Sequence, residues 1–226
     1  MNNKKPGVSR RDFLRLTGSA AVAVGLVGYG LPQLVTAEGQ ALIPVSKGYL
    51  LVDTKKCTGC LTCMLACSLV HEGKENLSLS RIQVIQNPFG GFPNDLDQVQ
   101  CRQCKSPACM EACPTGALYV DKSHGNVRTV DQSKCTACMA CIEACPFTPA
   151  RVLYNFEEGY AQKCDLCSRT PFWNQEGGPG GKQACAEVCP VRAIKFTDQI
   201  PPQEGDSGYN VNLRNEHWKK LGFPIT

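Results

Sequence analysis

Short apolar runs recur along the chain, and each is about as long as a single β-strand. They contain Leu, Val, Ile, Phe or Tyr and are bounded by Gly, Asp and Pro, a pattern typical of short strands. The runs that predict strands are 49–52, 80–85, 117–120, 127–130, 151–154 and 193–196. The polar segment 121–126 lies between two of these runs and predicts a hairpin turn.

Three segments between these runs predict single short helices: 61–70, 107–112 and 139–144. Gly and Pro predict a loop at 87–95 and a flexible surface loop at 168–184, which contains a Gly-Gly-Pro-Gly-Gly cluster. Such a cluster can also bind phosphate, but here no strand precedes it and no Lys-Ser/Thr pair follows it. The alternation of short strands, short helices and loops predicts a loop-rich α+β fold.

One longer apolar stretch, 16–34, follows the twin-arginine sequence Ser-Arg-Arg-Asp-Phe-Leu near the N-terminus. Together with small residues at Val35 and Ala37, it predicts a twin-arginine signal peptide over 1–37, cleaved after Ala37. We therefore expect the twin-arginine translocon to export the folded protein to the periplasm or the outer face of the cytoplasmic membrane. A permanent membrane anchor is the alternative, because the stretch is long enough to span a bilayer, although its glycines and Pro32 disfavour a stable helix.

The net charge of +4 belongs wholly to the predicted signal peptide. Five of the 24 basic and one of the 20 acidic residues lie there, which leaves 19 of each in the rest of the chain. This balance gives no indication of nucleic-acid binding. The chain shows no nucleotide loop or Ser-His-Asp set, so we predict that it is not an enzyme by itself. The isolated His71, His124 and His217 are predicted to be surface or loop residues.

Sixteen cysteines fall into four groups of four, with none left over. The first and third groups read C-x2-C-x2-C-x3-C, the spacing of bacterial ferredoxin clusters, whereas the second and fourth groups widen one gap. Proline follows the last cysteine in three groups, at Pro114, Pro146 and Pro190, and Ser68 takes that place in the first. The groups are Cys57, Cys60, Cys63 and Cys67; Cys101, Cys104, Cys109 and Cys113; Cys135, Cys138, Cys141 and Cys145; and Cys164, Cys167, Cys185 and Cys189.

Thiolates are soft ligands that suit iron, and a C-x2-C-x2-C loop can contact three corners of a cubane cluster. In two-cluster ferredoxins the fourth cysteine ligates the other cluster. Sixteen thiolates therefore predict four [4Fe-4S] clusters and a protein that carries electrons. Because each cluster then joins distant parts of the chain, we expect cluster binding to supply much of the stability.

Two other uses of cysteine compete with this interpretation. Structural zinc sites also use C-x2-C pairs, but they need two such pairs rather than a triplet with a distant fourth ligand. A disulfide framework is compatible with export and with an even number of cysteines. Such frameworks belong mainly to small secreted domains, and close neighbours in sequence are poor partners for structural bridges.

The repeated groups divide 48–200 into two ferredoxin-like modules, which we expect to be related by a pseudo-twofold axis. The predicted outer module combines 48–70 with 160–200, and the inner module covers 99–155. The polar tail, 201–226, contains Trp218, Leu221 and Phe223. It either packs against its own domain or docks to a partner.

At these four groups the chain resembles the four-cluster iron–sulfur subunits of the dimethyl sulfoxide reductase superfamily, which include those of formate dehydrogenase and polysulfide reductase. Segments 101–118 and 162–167 carry the resemblance most clearly. It implies nested pairing, the first group with the fourth and the second with the third. The implied ligand sets are Cys57, Cys60, Cys63 and Cys189; Cys164, Cys167, Cys185 and Cys67; Cys101, Cys104, Cys109 and Cys145; and Cys135, Cys138, Cys141 and Cys113.

The resemblance also implies a role and partners. The chain would be the electron-transfer subunit of an exported oxidoreductase and would link a catalytic molybdenum- or tungsten-pterin subunit to a membrane quinone-reactive or cytochrome subunit. A free-standing periplasmic polyferredoxin that meets its partners transiently is the alternative within electron transfer. A structural zinc protein is the alternative outside it.

Overall fold

The computed structural model describes residues 43–223 and 225, so the predicted signal peptide lies outside the described residues. In this part of the chain the strands are Tyr49–Val52 (β1), Ile82–Gln86 (β2), Leu96–Gln100 (β3), Leu118–Asp121 (β4), Val127–Val130 (β5), Val152–Asn155 (β6), Tyr160–Lys163 (β7) and Ile194–Thr197 (β8). The helices are Thr62–Glu72 (α1), Ala108–Glu111 (α2), Ala140–Glu143 (α3), Ala184–Glu187 (α4) and Glu216–Lys220 (α5). Short 3-10 turns lie at Leu77–Leu79, Gln132–Lys134 and Ser207–Tyr209. None of the described helices is long and apolar enough to span a bilayer.

The strands of the described region pair as four two-stranded antiparallel ladders: β1 with β8, β2 with β3, β4 with β5, and β6 with β7. The last three are hairpins, and each separates two successive cysteine groups. The β1–β8 ladder joins the segment before the first group to the segment after the last, with Tyr49 opposite Thr197. The predicted α+β fold is confirmed, whereas the module boundaries and the twofold relation stay predictions.

The six predicted strands all form, with ends displaced by no more than two residues. Sequence analysis missed β3 and β7, whose sequences Leu-Asp-Gln-Val-Gln and Tyr-Ala-Gln-Lys contain few apolar residues. Their glutamines are nevertheless buried, because the side-chain amides find partners inside the protein. Gln98 donates to Cys57 Sγ at 3.2 Å, and Gln162 donates to the Leu79 carbonyl at 3.1 Å.

Proline limits the length of the helices that contain the third cysteine of each group. The helices α2, α3 and α4 have four residues each, and a proline follows the last cysteine of each of their groups. Proline lacks an N–H donor and disfavours helical geometry at the preceding residue. Ser68 stands at this position in α1, which continues for 11 residues. The Ser68 hydroxyl donates to the Leu65 carbonyl and accepts the Asn76 N–H.

Cysteine side chains form part of every apolar cluster in the described core. The largest cluster packs Leu50, Ile82 and Leu166 around Cys63, Cys67 and Cys185. A smaller one packs Leu118 and Val152 around Cys109 and Cys141. Purely hydrocarbon packing is therefore limited, as expected if cluster binding supplies much of the stability.

The glycine cluster at 177–181 packs closely against the fourth cysteine group. A Cβ atom at Gly177 would lie 1.8 Å from the Cys167 carbonyl oxygen, so only glycine fits there. The Gly178 N–H donates to the Leu166 carbonyl at 2.7 Å, and the Gln183 side chain donates to the Gly178 carbonyl at 2.9 Å. Much of 168–184 is exposed, as predicted for a surface loop, but Gly177 is needed for this close approach.

The C-terminal tail packs on its own domain. The Val211 N–H donates to the Val52 carbonyl at 2.8 Å, and the Leu213 N–H donates to Asp53 Oδ2 at 2.7 Å. The ring of Trp218 lies 4.9 Å from that of Phe223, between centroids, in the same tail. Asp206 bonds both Arg102 and Arg151. The first of the two alternatives for the tail is therefore observed.

Candidate iron–sulfur sites

All sixteen cysteines lie in the described region and are free thiols, so the disulfide framework is not formed. Cys60 and Cys138 are exposed, and the other fourteen are buried or half-buried. Within residues 43–223 and 225, no three His, Cys, Asp or Glu side chains are grouped to hold a single metal ion.

The thiols of the first group and Cys189 lie close enough to affect one another. The pKa of Cys63 is raised to about 12, first by burial and then by the nearby thiolates of Cys57, Cys189 and Cys60. Cys189 is 126 positions from Cys63 in sequence and reaches it through the β1–β8 ladder. The structure thus brings one distant cysteine to three local ones.

The remaining thiols of the fourth group gather around Cys67 in the same way. Burial raises the pKa of Cys185 well above its usual range, and the thiolates of Cys167, Cys164 and Cys67 raise it further. These four cysteines line one largely apolar cavity, together with Leu50, Ile82 and Leu166.

Cys145 of the third group and Cys113 of the second group each lie close enough to affect a cysteine of the other group. Burial raises the pKa of Cys104 to about 11, with further contributions from the thiolates of Cys101, Cys109 and Cys145. Burial also raises the pKa of Cys141 to about 11, and the thiolates of Cys135 and Cys113 add to it. Cys138 is the exposed member of the third group.

Thiols of different sets also affect one another at three places. Cys63 contributes to the raised pKa of Cys185, Cys101 to that of Cys164, and Cys109 to that of Cys141. These three pairs of neighbouring thiols connect the four cysteine sets in one linear order, which we call the row. Thiolates packed in this way repel one another unless positive charge lies among them, and iron ions supply such charge. The donor atoms therefore fit iron–sulfur clusters.

The last cysteines of three groups each accept a backbone N–H bond. The Arg81, Arg151 and Ala193 N–H groups donate to Cys67, Cys145 and Cys189 at 3.3, 3.2 and 3.2 Å. At Cys113 burial raises the pKa, but N–H bonds from Leu118, Thr115 and Ala117 contribute to a net lowering. Hydrogen bonds to sulfur stabilise the thiolate, and they tune the reduction potential of an attached cluster.

His71 is buried, at 5 % exposure, so its predicted surface position is wrong. Because α1 continues past Ser68, its last turn carries His71 inward. There His71 Nδ1 lies 2.8 Å from the Cys67 carbonyl oxygen, and Nε2 lies 3.0 Å from Asp165 Oδ1. Burial lowers the pKa of His71, but hydrogen bonds to Asp165 and Cys67 raise it to a net value of about 9. His124 and His217 are at least partly exposed, as predicted.

Asp165 links this histidine to a buried arginine. Asp165 Oδ2 lies 3.0 Å from Arg81 Nη1, and Glu72 Oε1 lies 3.3 Å from Arg81 Nη2. These groups surround Cys67 and Cys164, and sequence analysis assigned them no role. Asp165 lies inside the segment 162–167, which could have drawn attention to it. Nothing in the sequence links it to Arg81 or His71, which are more than 80 positions away.

Comparison with known proteins agrees with this chemistry. Residues 94–199 match the family model described as a 4Fe-4S dicluster domain. The chain is 34 % identical over 199 residues to the NrfC homolog of Haemophilus influenzae, covering 86 % of this chain and 81 % of that protein. It is 35 % identical over 153 residues to the thiosulfate reductase electron transfer subunit PhsB of Salmonella typhi, covering 65 % and 73 %.

The B subunit of the anaerobic dimethyl sulfoxide reductase of Escherichia coli is 30 % identical over 189 residues, with 77 % of this chain and 85 % of that protein covered. The match to the first relative covers 86 % of this chain, which is enough to include all four cysteine groups wherever the match begins. The chain therefore belongs to the 4Fe-4S dicluster family, and it is an iron–sulfur electron-transfer protein that is not an enzyme by itself.

Proposed function

We propose that the chain binds four [4Fe-4S] clusters in a row and serves as the electron-transfer subunit of an exported molybdenum- or tungsten-pterin oxidoreductase. The observation that supports this most directly is the grouping of fifteen thiols into four neighbouring sets, to which Cys138 is added by its place in the third cysteine group. The proposed ligands, in the order of the row, are Cys57, Cys60, Cys63 and Cys189; Cys67, Cys164, Cys167 and Cys185; Cys101, Cys104, Cys109 and Cys145; and Cys113, Cys135, Cys138 and Cys141.

The protein contributes ligands, orientation and exclusion of water. Each bound cluster would supply one-electron redox chemistry. Backbone N–H groups hold the last cysteine of three groups in place and stabilise its negative charge. Apolar residues such as Leu50, Ile82 and Leu118 keep water from the central thiols.

The ends of the row are the places where electrons would enter and leave. Cys60 belongs to the first set of the row and Cys138 to the last, and these are the two exposed cysteines. We propose that one end faces the catalytic pterin subunit and the other faces a membrane quinone-reactive or cytochrome subunit. Two relatives are named as subunits of a thiosulfate reductase and of a dimethyl sulfoxide reductase, and this similarity supports such an assembly.

Purification of the chain from its native host tests this assembly. We expect the affinity-tagged chain, in mild detergent, to carry a larger subunit with molybdenum or tungsten in about equal molar amount. The untagged chain, taken through the same steps, measures nonspecific carry-over. A tagged chain that elutes alone with its iron and without either metal would contradict the assembly and support the free-standing periplasmic shuttle.

Replacing Cys189 with Ser tests the nested pairing. Because the proposed ligand set joins Cys189 to Cys57, Cys60 and Cys63, we expect selective loss or alteration of that cluster, with up to about four of about sixteen irons lost. The matched control is Cys185→Ser, which lies in the same group but should affect the cluster held by Cys67, Cys164 and Cys167. The measurements are iron content and electron paramagnetic resonance of the reduced proteins. If both variants alter the same cluster, the pairing is wrong.

A further inference from the structure

Lys163 is a buried lysine between two cysteine sets. It is the last residue of β7 and directly precedes Cys164, yet it is only 3 % exposed. Burial of an ammonium group is costly unless a negative charge lies beside it. The surroundings of Lys163 must therefore supply that charge.

The negative partners of Lys163 are sulfur atoms. Its Nζ lies 4.0 Å from Cys109 Sγ. A lysine side chain is normally protonated at neutral pH, and the thiolates of Cys101, Cys109 and Cys104 act on this one electrostatically. None of the ion pairs between side chains of the described region includes Lys163.

Two buried arginines, Arg81 and Arg102, differ from Lys163 in this respect, whereas the buried Arg128 resembles it, because Arg128 lies near Cys101, Cys104 and Cys109 and forms no ion pair with a described carboxylate. Arg81 pairs with Asp165 and Glu72, and Arg102 pairs with Asp206. Their charges are offset by carboxylates of the protein. The charge of Lys163 is directed at the cysteine set itself and is not offset by a described carboxylate.

Lys163 also lies where two sets of the row meet. Its main chain continues into Cys164 of one set, and its ammonium group lies among the thiolates of the set that contains Cys101. Cys101 in turn affects the pKa of Cys164, so the two sets are neighbours. For each electron that crosses between them, one side loses one negative charge and the other gains one, with no bond broken and no proton transferred.

We propose that Lys163 tunes electron transfer between two clusters. Its buried ammonium group raises the reduction potential of the cluster held by Cys101, Cys104, Cys109 and Cys145 relative to that of the neighbouring cluster. A fixed positive charge in a poorly hydrated site stabilises added negative charge strongly. The two adjacent clusters therefore differ in reduction potential, and an electron shared between them resides preferentially on the cluster that includes Cys101. This inference relies on the ligand sets of the proposed function.

The chain offers matched control positions for this lysine. Lys56 and Lys134 also directly precede the first cysteine of a group. Lys134 is 61 % exposed in its side chain and pairs with Asp131 at 3.1 Å. A charge at the same place in the sequence pattern, but in water, is screened and should have little effect on a cluster.

The test is an anaerobic redox titration of the cluster-loaded protein, followed by electron paramagnetic resonance. Lys163→Met should lower the midpoint of one cluster, so that its ratio of reduced to oxidised form at a fixed potential falls at least tenfold, which is about 59 mV for a one-electron couple. Lys134→Met should change this ratio less than about twofold, well within one such step. Lys163→Arg keeps the charge and should keep the midpoint. The affected signal should be the one altered by Cys109→Ser.

Lys163→Gln is a second variant that keeps a polar side chain without the charge, and it should reproduce the shift if Lys163→Met does not load its clusters. If either neutral variant holds four clusters whose midpoint potentials are unchanged, the inference about Lys163 is wrong, while the four-cluster proposal stands. The same conclusion follows from a shift confined to another cluster, or from loss of the cluster from both neutral variants but not from Lys163→Arg, since Lys163 would then hold the cluster rather than tune it. Wild-type protein with far fewer than about sixteen irons would instead refute the four-cluster proposal.

Discussion

Stripping the iron from the purified protein is expected to unfold residues 43–223 as a unit rather than leave a folded apoprotein. Cysteines belong to each apolar cluster of the described core. Three of its helices have only four residues, and all its ladders have two strands, so local structure adds little stability. Without iron, buried thiols from distant segments have no bond that joins them. Folding and metal binding are then one equilibrium.

Circular dichroism and limited proteolysis, followed as an oxidant and a chelator remove the iron, measure this effect. We expect most of the native dichroism to disappear in step with iron release and the whole domain to become susceptible to protease. Protein kept in chelator without oxidant is the control. The starting material should hold about sixteen irons per chain with matching sulfide. A protease-resistant apoprotein would contradict the expected coupling, and stoichiometric zinc would contradict iron–sulfur binding itself.

Sequence patterns predicted the strands in which apolar side chains occupy the buried positions. The strand β1 has the sequence Tyr-Leu-Leu-Val and is largely buried, and β5 begins with a fully buried Val127. The strands β3 and β7 were missed because their buried positions are held by glutamine and lysine. Such residues are stable inside a protein only when partners reach them. Those partners, including Cys57 and Cys109, come from segments more than 40 positions away.

The candidate ligands were predictable because cysteine spacing encodes local loops, whereas the groups around them were not. The position of Ser68 shows how one residue changes the site. Where proline stands in the other groups, the helix stops after four residues, but here it continues and places His71 against Asp165. The consequence depends on a contact across 94 positions in sequence. The periodicity and the composition of the sequence give no information about such a long-range contact.

Replacing Arg10 and Arg11 together with Lys is expected to abolish export while leaving the clusters intact. Both residues lie outside the described region, and the prediction depends on the sequence Ser-Arg-Arg-Asp-Phe-Leu alone. If iron is inserted before export, the protein must cross the membrane folded, because cluster binding and folding are coupled. The twin-arginine route transports folded proteins, and lysine in place of both arginines should block recognition. A partner subunit that lacks its own signal should then also stay behind.

Cell fractionation with iron analysis of the cytoplasmic and periplasmic protein measures this result. We expect nearly all of the doubly substituted protein in the cytoplasm, with the same iron content per chain as the wild type. The matched control is Arg15→Lys, which makes the same charge-conserving substitution outside the arginine pair and should leave export normal. Normal amounts of the double variant in the periplasm would refute the twin-arginine signal. Exported wild-type protein that still begins at Met1 would show that Ala37 is not the cleavage site and that the apolar stretch 16–34 remains as an anchor.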